Sequence, residues 1–509
     1  MSAPGSSRGP STASFSPYDG TPVSDVPDTT PGEIASALAA AEGVASVVAA
    51  TSPRERRAWL HAVAARLDKH TEELVDLANR ETGLGTVRLT GEVARAAGQL
   101  RFYGDVAAAG DFLGVAIDEA TATAPSLARF HRPLGPVAVF GASNFPFAFS
   151  VLGNDTASVI AAGCPVLAKA HPAHVGLSML LGELATDALR GAGAPEGTFA
   201  LVSGYDAGAR LVRAPEVRAV AFTGSEAGGL ALWRMANERA QVIPVYAEMG
   251  TVNPVFVTRA AAARLPEVAR GFVGSFTLGS GQFCTKPGLL LAPSDHDAAR
   301  VVADALAEAA PAPVMLTEAI ARAVRQGLDD LVDAGATLVR EVRGSELGWS
   351  APAAVLSAPA SALAAGGRLL QECFGAVAVV VEYDDEADLR AVLELLPGSL
   401  AGTVVAGDGE DPEAEWLVQA VSESVGRLTV NDWPTGVAYS WAQQHGGPWP
   451  ATSDPRATSV GAAALDRFVR PVAFQSVPDQ WLPAALQAEN PWRVPRRING
   501  VTQAGDDKS

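Results

Sequence analysis

An α/β fold built on parallel sheets is what this sequence predicts, on two observations. Between residues 136 and 250 short apolar runs alternate with Ala-rich segments that carry apolar residues at three and four spacing. Strand, helix, strand in repetition implies parallel strands covered by helices on both faces. A second series of the same kind begins near residue 254, which predicts a second α/β domain. In such sheets ligands sit beyond the carboxyl ends of the strands, so the turns closing each apolar run are where chemistry is expected.

In chain order, MSAPGSSRGPSTASFSPYDG is rich in Ser, Pro and Gly, without a charged start followed by an apolar stretch. It reads as a disordered leader over residues 1–29 and not as a secretory signal. Residues 31–110 read as helices, ERRAWLHAVAARLDKHTEELVDLANRE showing the three and four spacing most plainly. PVAVFGASNFP is a strand ended by Gly, Ser and Asn, SVLGNDTASVIAAG a helix, and CPVLAKAHP a short strand; TFALVSG, VRAVAFTGS and QVIPVYAEMG are strand-like as well. The second series runs through NPVFVTRA, VRQGLDDLVDAGATLVREV, FGAVAVVVEY, SLAGTVVAG and GRLTVND. The Pro- and Trp-rich stretch 471–501 has little periodicity and reads as an arm docking elsewhere.

The 509 residues suffice for large cores. No uninterrupted apolar run reaches the roughly 18–20 residues of a membrane span, so no membrane partner is expected, and a leader that does not read as a secretory signal makes a cytoplasmic location the expectation. With 38 basic against 56 acidic residues the net charge is −18, which on average repels a phosphate backbone and argues against nucleic acid. Three cysteines, Cys164, Cys284 and Cys373, show no CxxC spacing, and the seven histidines are scattered without HExxH. A disulfide framework and a metal site therefore have no support.

Four motifs carry chemistry. In GSGQFCTKPG, the glycines and Pro287 around Cys284 suggest a tight loop in which a nucleophile can meet substrate, although a buried cysteine acting as a small apolar residue is the plain alternative. Glu248, in AEMGTVNP, follows a strand and precedes a glycine, which suits a general base facing a cleft or a surface group. Asn144, after Ser143 in FGASNFPF, can donate its amide to an oxyanion or simply cap a helix. Gly224 and Ser225 in FTGSEAGG end a strand and open a helical segment, an N-terminal amide site for phosphate or a generic turn. GxGxxG is absent.

Taken in order, SNFP, LAKAHP, FTGS, EMG, GQFCT and ECFG resemble the aldehyde dehydrogenase superfamily over nearly the whole chain. RPLGPVAVFGASNFPFAFSVLGNDTASVIAAGCPVLAKAHPAH, GQFCTKPG and QHGGPWPATSDPRATSVG resemble the branch holding α-ketoglutaric semialdehyde and NADP-preferring aldehyde dehydrogenases. The resemblance implies an aldehyde dehydrogenase-like fold: a Rossmann-like cofactor domain over residues 30–118 and 136–248, a catalytic domain over 249–460, and a small β oligomerisation arm from 119–135 and 461–509. It implies a homodimer or a dimer of dimers. It makes Cys284 the nucleophile, Asn144 the oxyanion donor and Glu248 the base that hydrolyses the thioester.

For the cofactor, NADP or NAD, the resemblance places Lys169 at the adenosine ribose, Ser225 near the pyrophosphate, and Glu372 with Phe374 at the nicotinamide ribose. The acidic residue usual three positions after that lysine is replaced by Pro172, behind Ala170 and His171, which favours NADP or dual use. Arg210 is a candidate partner for a 2′-phosphate or a solvated helix arginine. The substrate expected is 2,5-dioxopentanoate, oxidised to 2-oxoglutarate, with medium, long or aromatic aldehydes as the alternative. Transfer of the acyl group to coenzyme A is disfavoured by Glu248, and a catalytically silent dinucleotide-binding protein by the three reacting groups together. Lys286 and Arg456 are candidate cations for a charged tail, while Trp433, Trp441 and Trp449 are candidate walls of an apolar funnel or core residues.

Overall fold

The computed structural model describes residues 9–505. It opens with two antiparallel strands, β1 (Ser11–Phe15) and β2 (Pro22–Pro27). The expectation of a disordered leader is therefore corrected for residues 9–29, while residues 1–8 lie outside the described residues. The order comes from tertiary partners that composition does not reveal. Ser14 Oγ donates to the buried Glu81 carboxylate at 2.5 Å, and Thr12 Oγ1 donates to Asp28 at 2.7 Å.

Four helices follow: α1 (Pro31–Ala50), α2 (Pro53–Lys69), α3 (Thr71–Thr82) and α4 (Thr86–Ala109). The first two start identically, with Thr30 and Ser52 in reciprocal capping boxes with Glu33 and Glu55 and a proline in the first turn. By length and composition α1 would cross a membrane. Here its Ile34, Leu38 and Ala41 pack into the same core as Leu167 and Val202 of the first sheet.

After β3 (Ala116–Asp118) and β4 (Leu127–Pro133) come β5 (Val137–Phe140), helix α5 (Asn154–Ala162), β6 (Val166–Lys169), helix α6 (Val175–Gly191), β7 (Phe199–Val202), helix α7 (Tyr205–Arg213), β8 (Ala219–Gly224), helix α8 (Glu226–Asn237) and β9 (Val245–Met249). The five strands β5 to β9 form a wholly parallel sheet in the order β7-β6-β5-β8-β9. Reversal of winding at β5 puts a crevice at the carboxyl ends of β5 and its neighbours. Phe140, Lys169, Gly224 and Glu248 all stand at or beside that rim.

The second sheet comprises β10 (Pro254–Val257), β11 (Leu289–Pro293), β12 (Thr337–Val342), β13 (Ala353–Pro359), β14 (Val377–Tyr383), β15 (Ser399–Val405) and β16 (Val425–Val430). Its order is β12-β13-β14-β11-β10-β15-β16, parallel except for the edge strand β12. β11, LLLAP, is buried at every position, as expected of a central parallel strand with no alternation to betray it. Helix α9 (Leu265–Thr277) leads from the β10 side into the cysteine loop.

A third sheet joins β17 (Val469–Gln475), β4, β3, β18 (Arg496–Ile498) and β19 (Val501–Gln503) in that order. It draws on residues 116–118, just before the segment the sequence suggests for the arm.

Candidate active site

Gly279, Ser280 and Gly281 lie consecutively in the left-handed region, with φ of 56°, 62° and 72°. This turns the chain sharply after α9. A side chain at Gly281 would put its Cβ 2.2–2.3 Å from backbone atoms of Gly375 and Ala376. The cysteine loop and the segment carrying Glu372 and Phe374 therefore meet backbone to backbone, which requires a glycine. From below, buried Asn253 fixes the loop: its Nδ2 donates to the carbonyls of Cys284 (2.8 Å) and Lys286 (3.0 Å).

Cys284 is half-buried. Its sulfur lies 3.7 Å from His445 Nε2, and the same nitrogen lies 2.9 Å from Glu248 Oε1. Ser459 Oγ donates to the other Glu248 oxygen. Sulfur, imidazole and carboxylate thus form a triangle, their reactive atoms within 4.8 Å of one another, with the imidazole and the carboxylate buried. Burial pushes the Cys284 thiol well up, and the Glu248 and Glu372 charges add to this. Burial alone would also raise Glu248, but His445, Ser459 and Arg467 outweigh it and hold the carboxyl below its usual range. The thiol rests protonated beside an ionised base.

Asn144 is buried after β5. One hydrogen of its amide goes to the carbonyl of Gln282 at 2.8 Å, tying it to the cysteine loop, and the second remains for a substrate oxygen. Arg88 Nη2 donates to the Asn144 carbonyl at 2.6 Å. The neighbouring Ser143 is half-buried.

The expected cofactor residues line the rim of the first sheet. Lys169 ends β6 opposite Val202 of β7, and burial lowers its pKa while Asp28 pulls it back. His171 is half-buried, its Nδ1 accepting from the Ala173 amide at 3.1 Å and its ring stacked on His174, so it holds the turn after β6. Gly224 ends β8, and Ser225 caps α8 by accepting from the Gly228 amide at 3.2 Å. Arg210 is exposed on α7.

Glu372 and Phe374 are half-buried. Glu372 Oε1 has no hydrogen-bond partner among the described residues, and burial, opposed by Lys286 and Arg368, pushes the carboxyl up to about 7. An orphaned carboxylate oxygen at one end, a lysine at the other and a helix N-terminus between them fit a dinucleotide.

Lys286 does not flank the pocket as a free cation. It is buried, with Nζ donating to the carbonyls of Cys373 (3.0 Å) and Val377 (2.8 Å). Arg456 is exposed beside Asp454. Trp441 and Trp449 are exposed, and Trp433 packs on Phe272 of α9. Sequence reasoning missed His445, Ser459 and Asn253. His445 and Ser459 lie within QHGGPWPATSDPRATSVG, whose likeness was noted without a role for either residue.

The pattern of the aldehyde dehydrogenase family matches residues 5–449. The chain is 45% identical over 462 residues to α-ketoglutaric semialdehyde dehydrogenase 2 of Azospirillum brasilense, covering 88% of this chain and 87% of that protein. It is 40% identical to the α-ketoglutaric semialdehyde dehydrogenase of Acinetobacter baylyi, with 89% and 88% covered. Among solved structures, 1-pyrroline-5-carboxylate dehydrogenase from Thermus with bound NAD superposes with a TM-score of 0.78 at 23% identity, covering 92% of this chain and 90% of that one. With a cysteine, a carboxylate and an asparagine amide gathered at the mouth of a dinucleotide crevice, and these matches running through both sheets, the chain belongs to the aldehyde dehydrogenase family.

Proposed function

We propose that this protein oxidises 2,5-dioxopentanoate to 2-oxoglutarate through a thiohemiacetal and a thioester on Cys284. The observation that carries the chemistry is the cluster of Cys284, His445 and Glu248 beside the Asn144 amide. The substrate reading is supported by the two α-ketoglutaric semialdehyde dehydrogenases to which the chain is similar over nearly nine-tenths of its length.

As the Cys284 sulfur adds to the aldehyde carbon, its proton passes to the ionised Glu248 carboxylate, an oxygen of which lies within 4.8 Å, and leaves from there to solvent, while His445 Nε2 holds the carboxylate in place. The oxygen that becomes negative receives the free Asn144 amide hydrogen and the backbone N–H of Cys284. A bound nicotinamide supplies the acceptor for the hydride that then leaves carbon. Hydrolysis uses the same carboxylate: Glu248 takes a proton from water as it attacks the thioester, and returns it to the departing sulfur.

The adenosine end supports use of either NADP or NAD. Pro172 leaves no carboxylate after Lys169, and Arg210 stands exposed on α7. Asp28, delivered by the N-terminal hairpin, offers a carboxylate to a free 2′-hydroxyl. The third sheet, whose edge strands β17 and β19 are largely exposed, supports pairing of subunits by strand addition.

Initial rates with 2,5-dioxopentanoate and decanal test the reading. A strong preference for the first is expected, and a preference for decanal overturns the substrate. Cys284→Ala is expected to abolish turnover while cofactor binding persists; retained turnover overturns the nucleophile.

A further inference from the structure

An aldehyde whose far end is a carboxylate needs that charge met inside the protein, and Lys286 is spent on two backbone carbonyls. Helix α4 supplies two other cations. Arg88 and Arg95 are seven residues apart, about two turns, and so share one face. Arg88 lies over the rings of Phe145 (5.2 Å) and Phe283 (5.3 Å). Arg95 lies over Phe145 (5.8 Å), Phe149 (5.5 Å) and Tyr439 (5.2 Å).

Phe283 immediately precedes the nucleophile, and Phe145 immediately follows the oxyanion asparagine; the two rings meet edge to face at 5.0 Å. Both guanidinium groups therefore stand on the aromatic wall that flanks the reacting carbon. A side chain at Gly279, in the cysteine loop itself, would come within 2.9 Å of Arg88.

Neither arginine has a carboxylate within ion-pair distance among the described residues. Each spends one nitrogen on a backbone carbonyl, of Asn144 for Arg88 (2.6 Å) and of Val437 for Arg95 (2.8 Å). The one acid between them on α4, Glu92, is turned onto the amides of Phe147 and Ala148 at 2.9 and 3.1 Å. Burial holds it above its usual range despite both arginines. In a chain of net charge −18, two half-buried cations without acidic partners are costly unless an anion completes them.

We propose that Arg88 and Arg95 clamp the far carboxylate of the substrate and select aldehydes that carry one. This rests on the substrate class assigned above. Guanidinium groups suit the task because their planar forks match a carboxylate, and the ring faces hold them in place.

The test compares kcat/KM of the full chain with its cofactor on 2,5-dioxopentanoate, 5-oxopentanoate and pentanal. Arg95→Met is expected to lower the value for both acidic aldehydes by about 10- to 100-fold, chiefly through KM, and to leave pentanal within about threefold. Arg95→Lys is expected to restore part of the loss, since it keeps the charge without the fork. Arg88→Met is expected to lose acid selectivity too, with an added fall in kcat because Arg88 also holds Asn144. Equal losses on pentanal and the acids in Arg95→Met, or no loss on either, overturn the clamp. A wild type indifferent to the carboxylate overturns clamp and substrate class together. One that favours 5-oxopentanoate over both 2,5-dioxopentanoate and pentanal, and loses its advantage over pentanal in the arginine variants, upholds the clamp and overturns only the substrate's name.

Discussion

His445 Nε2 lies 3.7 Å from the sulfur of Cys284 and 2.9 Å from the carboxylate of Glu248. The base expected from sequence thus lies beside the nucleophile itself, with an imidazole packed against both. His445→Asn, which loosens the hold on Glu248, is expected to lower the rate of the first turnover by about 10- to 100-fold. Stopped-flow measurement of reduced-cofactor formation checks this, since a defect confined to hydrolysis would leave the first turnover intact.

Glu372 gives a pH dependence of definite sign. Burial raises its carboxyl to about 7, against Lys286 and Arg368, so the folded chain holds this proton more tightly than the unfolded one. Its stabilising contribution is full below the ordinary carboxylate range and is lost as pH rises to about 7. Glu372→Gln should flatten that part of the stability profile, measured by denaturant unfolding between pH 4.5 and 7.5.

Lys286 is a structural cation. Lys286→Met leaves the carbonyls of Cys373 and Val377 without their donor and is expected to cost about 1–3 kcal/mol in stability. The ratio of kcat/KM for acidic and neutral aldehydes should stay unchanged, which steady-state kinetics would show.

Asp28 acts electrostatically on Lys169, and a side chain at Gly204 would come within 2.7–2.8 Å of its carboxyl group. Asp28→Asn is expected to shift the ratio of kcat/KM for NADP over NAD upward by roughly 3- to 10-fold, as a charge opposed to the 2′-phosphate is removed. Cofactor kinetics at fixed aldehyde measure it.

Gly281→Ala places a β-carbon against Gly375 and Ala376 at a positive φ. A loss of more than about 2 kcal/mol, or a displaced loop with low kcat, is expected. Thermal unfolding beside initial rates separates the two.

Cys284, Glu248 and Asn144 were legible because each sits in a short stretch whose neighbours also mark its element: glycines around a loop, a strand before a glycine, a strand before a turn. His445 carries no such local mark. It meets Cys284 from 161 positions away, and Ser459 meets Glu248 from 211, contacts that only the packed fold defines. Lys286 misled in the opposite way, for nearness in sequence to Cys284 suggested a cation in the pocket, whereas the chain turns it beneath the loop. The strand β11 escaped because burial on both faces removes alternation, and the leader's order depends on Glu81, which no pattern within the leader reveals.

The leader's attachment matters to anyone trimming this protein. Ser203 accepts from Thr29 through its carbonyl at 3.1 Å, donates its amide to Thr29 Oγ1 at 2.8 Å and its hydroxyl to the Pro27 carbonyl at 2.7 Å. A chain recut to begin at Pro31 would sever all three rivets, strip Glu81 of a donor and remove Asp28 from beside Lys169. Such a shortened form would measure the cofactor preference of a different enzyme.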